Sequence, residues 1–281
     1  MANSPLLGIG FGLAAALSWG TGDYCAGLAS RRTNVYGVVI VSQLVGLVLL
    51  TFLALLLAEP VPTPSDLVWG AIAGLGGTAG LVALYRGLAT GPMGIAAPIA
   101  AVVSVILPLL FGLFLEGWPA PPQLLGFGLA LCAVRFITRT GDGSRIKVRV
   151  LVLPLVAGLG FGVFLILIDH VSAAAVLWPL AAARATSVLA LLVLVLVTRQ
   201  QVRPAAGQMP LLLMAGVCDT GGNAFYALAA SAGRLDIAAV LGSLYPAATV
   251  LLARLILKER ISRLQGVGLA LAMIAVLLIA A

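Results

Sequence analysis

The chain has 281 residues, of which 62 % are hydrophobic and only 9 % charged. Soluble domains carry roughly a quarter charged residues, so this chain has too little polar surface to fold in water. The formal net charge of +7 does not signal nucleic acid as a partner, because the basic residues are scattered among apolar stretches without a patch of interleaved aromatics.

A membrane-spanning helix needs about 20 mostly apolar residues. Ten such runs are predicted, at 6–29, 35–58, 67–89, 93–115, 123–138, 150–168, 173–197, 209–230, 237–257 and 264–281. Met1 to Pro5 lacks a basic segment, so the run from Leu6 reads as a first span and not as a cleaved signal peptide. The fifth run is the shortest, and Arg135 and Arg139 can snorkel from its end. The longest polar stretch, Arg139 to Arg149, is too short for a soluble domain. Cys25, Cys132 and Cys218 lie inside apolar runs at no metal-ligand spacing, which argues against a disulfide framework.

The same polar stretch divides an internal repeat. Gly74-x-x-x-Thr78-x-Gly80 recurs as Gly216-x-x-x-Thr220-x-Gly222, and Trp19-Gly20 aligns with Phe161-Gly162. Tyr85 aligns with Tyr226, Ile95-Ala96-Ala97 with Ile237-Ala238-Ala239, Glu116 with Glu259, and Gly128 to Leu131 with Gly268 to Leu271. The order and the nearly constant offset predict two five-helix repeats, 1–140 and 141–281. Because five is odd, the second copy is expected upside down, as an inverted-topology repeat of the kind transporters use. The fold class expected is therefore an all-α polytopic membrane protein with ten transmembrane helices.

Charge adds an orientation. Loops after odd-numbered spans hold eleven of the sixteen Lys and Arg, from Arg31 and Arg32 through Arg139, Arg145, Lys147, Arg149, Arg199, Arg203, Lys258 and Arg260 to Arg263. The opposite loops hold Arg234 alone. By the positive-inside rule both termini lie on the non-cytoplasmic side.

With these features the chain resembles the EamA family of the drug/metabolite transporter superfamily, and the resemblance covers nearly the whole length. Its specific parts are Trp19-Gly20, the spacing from Pro246 to Glu259 followed by Gln265-Gly266, and Arg184 in the seventh span. The first repeat keeps Glu116, Gln123 and Gly126. It has Val103 where Pro is expected, and Gln43 in the place matching Arg184. The resemblance implies a permease or exporter of small metabolites, with amino acids and amphiphilic compounds frequent among substrates. It and the composition together imply the cytoplasmic (inner) membrane of a bacterium, and a monomer or homodimer.

Ionisable groups inside a span cost about 2.5–3.5 kcal/mol on insertion scales, so Asp23, Arg184 and Asp219 are the leading site candidates. Trp19, Gln43, Tyr85, Asn223, Tyr226 and Tyr245 surround them as hydrogen-bonding and stacking groups. Asp219, Asn223 and Tyr226 fall on one face of the eighth span, where the first repeat has Gly77, Leu81 and Tyr85. Asp23 matches Leu165. Counting from span starts at Met209 and Ala173, Asp219 and Arg184 are expected about 15 and 16 Å deep. A buried structural ion pair is the alternative for these residues. The glycines of the third and eighth spans serve either static packing or a sliding surface. Glu116, Glu259, Asp169 and His170 read as polar groups at helix ends.

The pattern excludes several chemistries. There is no HExxH pair, Asp-rich metal motif or Gly-x-Ser-x-Gly elbow, so an enzyme is not expected. No cofactor or nucleotide loop is expected either, which leaves a gradient as the energy source, with protons a candidate coupling ion. A channel or structural membrane protein stays open as an alternative reading. An exchanger of strongly anionic metabolites is disfavoured, since Arg184 is the one deep cation.

Overall fold

The computed structural model describes residues 5–115, 118, 120–137, 148–172, 175–232 and 241–280. Among them are ten helices and no strand: α1 (Pro5–Ala29), α2 (Val35–Leu56), α3 (Pro64–Thr90), α4 (Met93–Leu115), α5 (Pro121–Ile137), α6 (Val148–Ile168), α7 (Leu177–Thr198), α8 (Met209–Ala232), α9 (Tyr245–Ile256) and α10 (Arg263–Ala280). Six of these, α2, α3, α4, α6, α7 and α8, are long and apolar enough to cross a membrane. Helix α1 has 25 residues but is diluted by Ser18, Thr21, Asp23 and repeated glycines, while α5, α9 and α10 are apolar but shorter. Glu116, Arg139, Arg145, Lys147 and Arg234 lie outside the described residues.

Two predicted boundaries need correction. The ninth span was expected to be one helix from 237 to 257, but a turn at Ser243 and Leu244 separates α9 from what precedes it. Pro246 is the cause: it has no N–H to donate and its ring is tolerated only in a first helical turn. The seventh span was expected to start near Ala173, whereas α7 starts at Leu177. There the Glu59 carboxylate accepts hydrogen bonds from the N–H groups of Val176, Leu177 and Trp178 at 2.8–3.1 Å, satisfying the unpaired donors of the first turn.

Other ends follow local rules. Thr63 and Asp66 form a capping box at the start of α3, with Pro64 in its first turn. Asp66 also reaches across to accept from Ser172 N at 2.8 Å and Ser172 Oγ at 3.1 Å, tying the start of α3 to the loop after α6. Glu259 accepts from Met93 N at 3.1 Å and Gly94 N at 3.2 Å and lies 3.7 Å from Arg31. It therefore serves the N-terminus of α4, a specific role for a residue read as a helix-end polar group. His170 bonds the Ile166 carbonyl oxygen at 2.9 Å and stacks on Trp69.

The glycines decide how the helices meet. A Cβ on Gly70 would strike the Pro179 carbonyl and one on Gly74 the Ala183 carbonyl, while Thr78 meets Ser187, so α3 runs parallel to α7. In the same way Gly216 lies on Ser42 and Val45, and Thr220 on Gly46, so α8 runs parallel to α2. Helix α1 is antiparallel to α8, with Gly22 on Cys218 and Phe11 stacked on Phe225. Helix α6 is antiparallel to α3, with Gly160 against Gly76 and Gly80, and Leu153 against Gly87. Gly158 and Gly162 lie on Val103 and Leu107, which makes α6 parallel to α4; Gly20 lies on Tyr245 and Ala248, and Arg31 just after α1 reaches Glu259 just after α9, which makes α1 parallel to α9. Exchanging helices 1–5 for 6–10 maps each of these contacts onto another.

The repeat extends to backbone detail. Ala58 after α2 and Arg199 after α7 both take the left-handed conformation, at φ 48° and 51°, a common way to end a helix. Large apolar side chains such as Phe52, Leu55, Leu189, Val193 and Leu196 face outward. Such a surface would drive aggregation in water and suits contact with lipid.

Candidate functional site

The site is built where α2, α3, α7 and α8 converge. Arg184 on α7 points its Nη2 at Asp219 Oδ2 on α8, 2.6 Å away, and its Nη1 donates to Gln43 Oε1 on α2 at 2.8 Å. The pair is largely buried, with side chains 14 % and 21 % exposed. Gly46 makes the approach possible, since its missing side chain leaves room for the Arg184 guanidinium and the Thr220 hydroxyl. On the far side, Gly22 lets α1 come close to the Asp219 backbone N–H.

An aromatic group flanks the pair. Trp19 Nε1 donates to the Asp219 carbonyl oxygen at 3.1 Å, and Ser18 Oγ donates to the Cys218 carbonyl oxygen at 2.7 Å. The Trp19 ring packs against Tyr226 at 5.8 Å and edge-on against Tyr245 at 6.5 Å. Gly222 is open to receive the indole, and any Cβ there would collide with it. In the first repeat Gly80 receives Phe161 in the same manner.

Of the residues singled out from sequence, Arg184, Asp219 and Gln43 are thus joined directly, and Trp19, Tyr226 and Tyr245 form the adjoining ring cluster. Asp23 lies within electrostatic range of Asp219, Tyr85 and Tyr245, and Tyr85 is fully buried beside them. Asn223 sits one turn beyond Asp219, and its Nδ2 is buried without a hydrogen-bond partner among the described residues. The later start of α7 changes one expectation: Arg184 lies about 11 Å along its helix and not about 16 Å, while Asp219 stays about 15 Å along α8.

Phe164 and Ser187, which sequence reasoning missed, help line a small cavity of about 30 Å³ beside Arg184, enough for about one water molecule. Gly74, Gly77, Phe164 and Ser187 border it together with Gln43 and Arg184. Thr78 and Ser187 share a hydroxyl–hydroxyl hydrogen bond, and Thr78 also donates to the Gly74 carbonyl oxygen at 2.6 Å. At the repeat-related place Thr220 faces Gly46 and its hydroxyl has no partner among the described residues. Ser187, one turn after Arg184, was the available signal.

No group of three or more potential metal ligands occurs among the described residues. The sequence pattern of the EamA-like transporter family fits residues 6–139 and again 148–281. The chain belongs to that family, as two copies of its repeat, and is an integral membrane protein. It is similar in fold to a solved crystal structure described only as that of a protein, with TM-score 0.63 and 19 % identity over 96 % of this chain and 95 % of the other. By sequence it matches no curated protein.

Proposed function

We propose that the protein is a gradient-driven carrier of a small metabolite, working by alternating access between two inverted five-helix halves that together span the bilayer ten times. The observation that carries this reading is the buried Arg184–Asp219 pair, held between α7 and α8 and joined to Gln43 of the first half. Static packing does not require an ion pair, and a buried pair is weak as a device for stability. Inversion is supported by the helix directions. Helix α1 is parallel to α9 and α4 parallel to α6, while the start of α4 meets Glu259 just after α9. Helices α1 and α6, the first of each half, then run in opposite directions.

Substrate is handled at Arg184, Asp219 and Gln43, with Asp23 as a proton or amine site and Trp19, Tyr226 and Tyr245 as the apolar wall. Asn223 and Tyr85 complete the polar lining. The cavity is too small for a metabolite, which fits a closed stage of a cycle. The charge distribution supports both termini on the non-cytoplasmic side, and we place the protein in a bacterial inner membrane, as an exporter or permease.

The test is counterflow in proteoliposomes. Saturable exchange of at least one small metabolite is expected, with Arg184→Gln and Asp219→Asn inserting normally but losing most of it. Flux linear in the gradient would favour a channel, and near-normal exchange by both variants would remove the site. Cysteines placed singly at positions 3 and 144 should react with an impermeant thiol reagent only at the first from outside.

A further inference from the structure

Two seams of small residues join the halves, and their ends are closed by different chemistry. Helices α3 and α7 begin side by side and run together, Gly70 on Pro179 and Gly74 on Ala183, to the cavity and Arg184. Helices α2 and α8 begin at the opposite end and do the same, Gly216 on Ser42 and Thr220 on Gly46. Where α3 and α7 begin, two carboxylates of the first half grip the second. Asp66, 4 % exposed, accepts from Ser172 N at 2.8 Å and Ser172 Oγ at 3.1 Å while also serving Thr63 N and Oγ1. Glu59 takes the first-turn N–H groups of α7, whose own N-cap residue Val176 makes no side-chain bond.

Where α2 and α8 begin, the same places hold neutral groups. Gln200 is the counterpart of Glu59. Each follows the left-handed residue that ends its helix, and each N–H reaches back, Glu59 to Ala54 O at 2.9 Å and Gln200 to Val195 O at 3.1 Å. Gln200 Oε1 accepts from the Asn34 side chain at 3.3 Å, and α2 is capped by Asn34 itself. Gln208 is the counterpart of Asp66 and Ser30 of Ser172, but the buried Ser30 hydroxyl has no partner among the described residues. Ala205 N donates to Thr33 Oγ1 across this end at 3.2 Å. Among the described residues the carboxylate at this end is Glu259, which holds Arg31 and the start of α4 and not the α2–α8 seam. The connecting loops differ as well. Pro60, Pro62 and Pro64 stiffen the segment that carries Glu59 and Asp66, whereas the other loop has Pro204 and a left-handed Gly207 at φ 75°.

We infer that Glu59 and Asp66 form a charge latch on the α3–α7 seam, and that Arg184 is reached more readily through the α2–α8 seam, which lacks one. Both seams pack backbone to backbone through small residues, so packing gives neither end an advantage. A hydrogen bond to an ionised carboxylate is about twice as strong as one between neutral groups. Parting α3 from α7 gives up the bonds from Ser172, Val176, Leu177 and Trp178 together, because the proline-stiffened segment moves both carboxylates as one. In the proposed orientation the latched end is the non-cytoplasmic one. The latch rests on the carrier reading for what opening accomplishes, but opening itself can be read without transport.

The test is thiol labelling of detergent-purified protein with a charged methanethiosulfonate, after Cys25, Cys132 and Cys218 are replaced by alanine. Leu180→Cys reports on the α3–α7 seam, where Leu180 lines the cavity, and Val39→Cys reports on the counterpart place in the other seam. With the latch intact, Val39→Cys should react several-fold faster, each rate taken relative to the unfolded chain. Glu59→Gln with Asp66→Asn should raise the Leu180→Cys rate about tenfold, the scale of a hydrogen bond to a charged group, and leave Val39→Cys within about twofold. Gln200→Glu should slow Val39→Cys instead. If either reporter fails to elute as a single species, Ala183→Cys and Ser42→Cys, the next counterparts beside Arg184 and Gln43, replace the pair. Equal rates with the latch intact, no rise at Leu180→Cys, or the same rise at both places would overturn the latch. Saturable exchange by a protein whose two seams label equally would remove the latch and leave the carrier reading intact. The expected labelling without any exchange would do the reverse.

Discussion

The third and eighth helices have the same job in their repeats and different chemistry on the face that looks inward. On α3 that face is Gly77, Leu81 and Tyr85; on α8 it is Asp219, Asn223 and Tyr226. Both helices pack through the same Gly-x-x-x-Thr-x-Gly pattern, α3 on α7 and α8 on α2. The shared residues are those that set backbone distance, and the divergent ones surround the Arg184–Gln43 contact. Close packing tolerates almost no change in volume, whereas an inward position next to a cavity can change its chemistry without moving a helix. The difference between the two faces thus separates scaffold from site within a single pair of helices.

The strongest way to break the comparison is to make the second half carry the first half's residue. Asp219→Gly leaves the Arg184 guanidinium buried without its acid and should cost about 3–5 kcal/mol, read as a large fall in detergent melting temperature. Adding Arg184→Gln removes the stranded charge as well, and the double variant should recover much of that loss. A double variant no more stable than the single would mean that the acid holds α8 in place by contacts other than the ion pair.

A smaller effect separates helix-end chemistry from the site. Glu59→Ala leaves three N–H groups at the start of α7 without their acceptor and should cost about 1–2 kcal/mol. Because α7 carries Arg184, the melting temperature should fall while the Arg184→Gln and Asp219→Gly effects stay additive to it. Strong coupling between Glu59 and Asp219 would show that the cap positions the arginine.

The smallest effect sharpens the comparison. Ser187 partners Thr78, whereas Gly46 offers Thr220 no hydroxyl and Thr220 has no partner among the described residues. Gly46→Ser and Gly46→Ala both introduce a Cβ about as tightly, 3.1 Å from Thr220 Oγ1. The serine variant should be the more stable of the two by about 1 kcal/mol, the worth of one hydrogen bond. Equal melting temperatures would show that the Thr220 hydroxyl does not reach position 46.

Much of the fold could be read from hydropathy, because lipid leaves a helix no way to hide a long polar run. The repeat was legible for the same reason that the glycines matter: Gly74 and Gly216 each meet a backbone or a Cβ that excludes any side chain. Pro246 was read as a family marker, and its local effect, a helix that begins at Tyr245, was missed. The start of α7 depends on Glu59, a residue remote in sequence that no local pattern near Leu177 announces. Arg184 and Asp219 were legible as costly charges in apolar runs, and Gln43 as the counterpart of Arg184. The cavity was not legible. It is enclosed by residues of four helices, Gln43, Gly74, Gly77, Phe164, Arg184 and Ser187 among them, and a missing volume has no letter in the sequence.

The contact between Gln43 and Arg184 also constrains how such a molecule could have arisen. Residues related by the internal two-fold meet each other only near the axis, and these two do, at 2.8 Å. An assembly of two identical five-helix chains would carry the same side chain at both places. With arginine at each, two guanidinium cations would confront one another in a low-dielectric interior, where like charges repel strongly. With glutamine at each, the amides could pair, but nothing would hold an acid at position 219. Joining the copies into one chain frees the two places to differ, and a polar contact across the axis becomes a charged one on a single side. The gain from covalent fusion is then asymmetry at the centre, a property that no exact dimer of the half can possess.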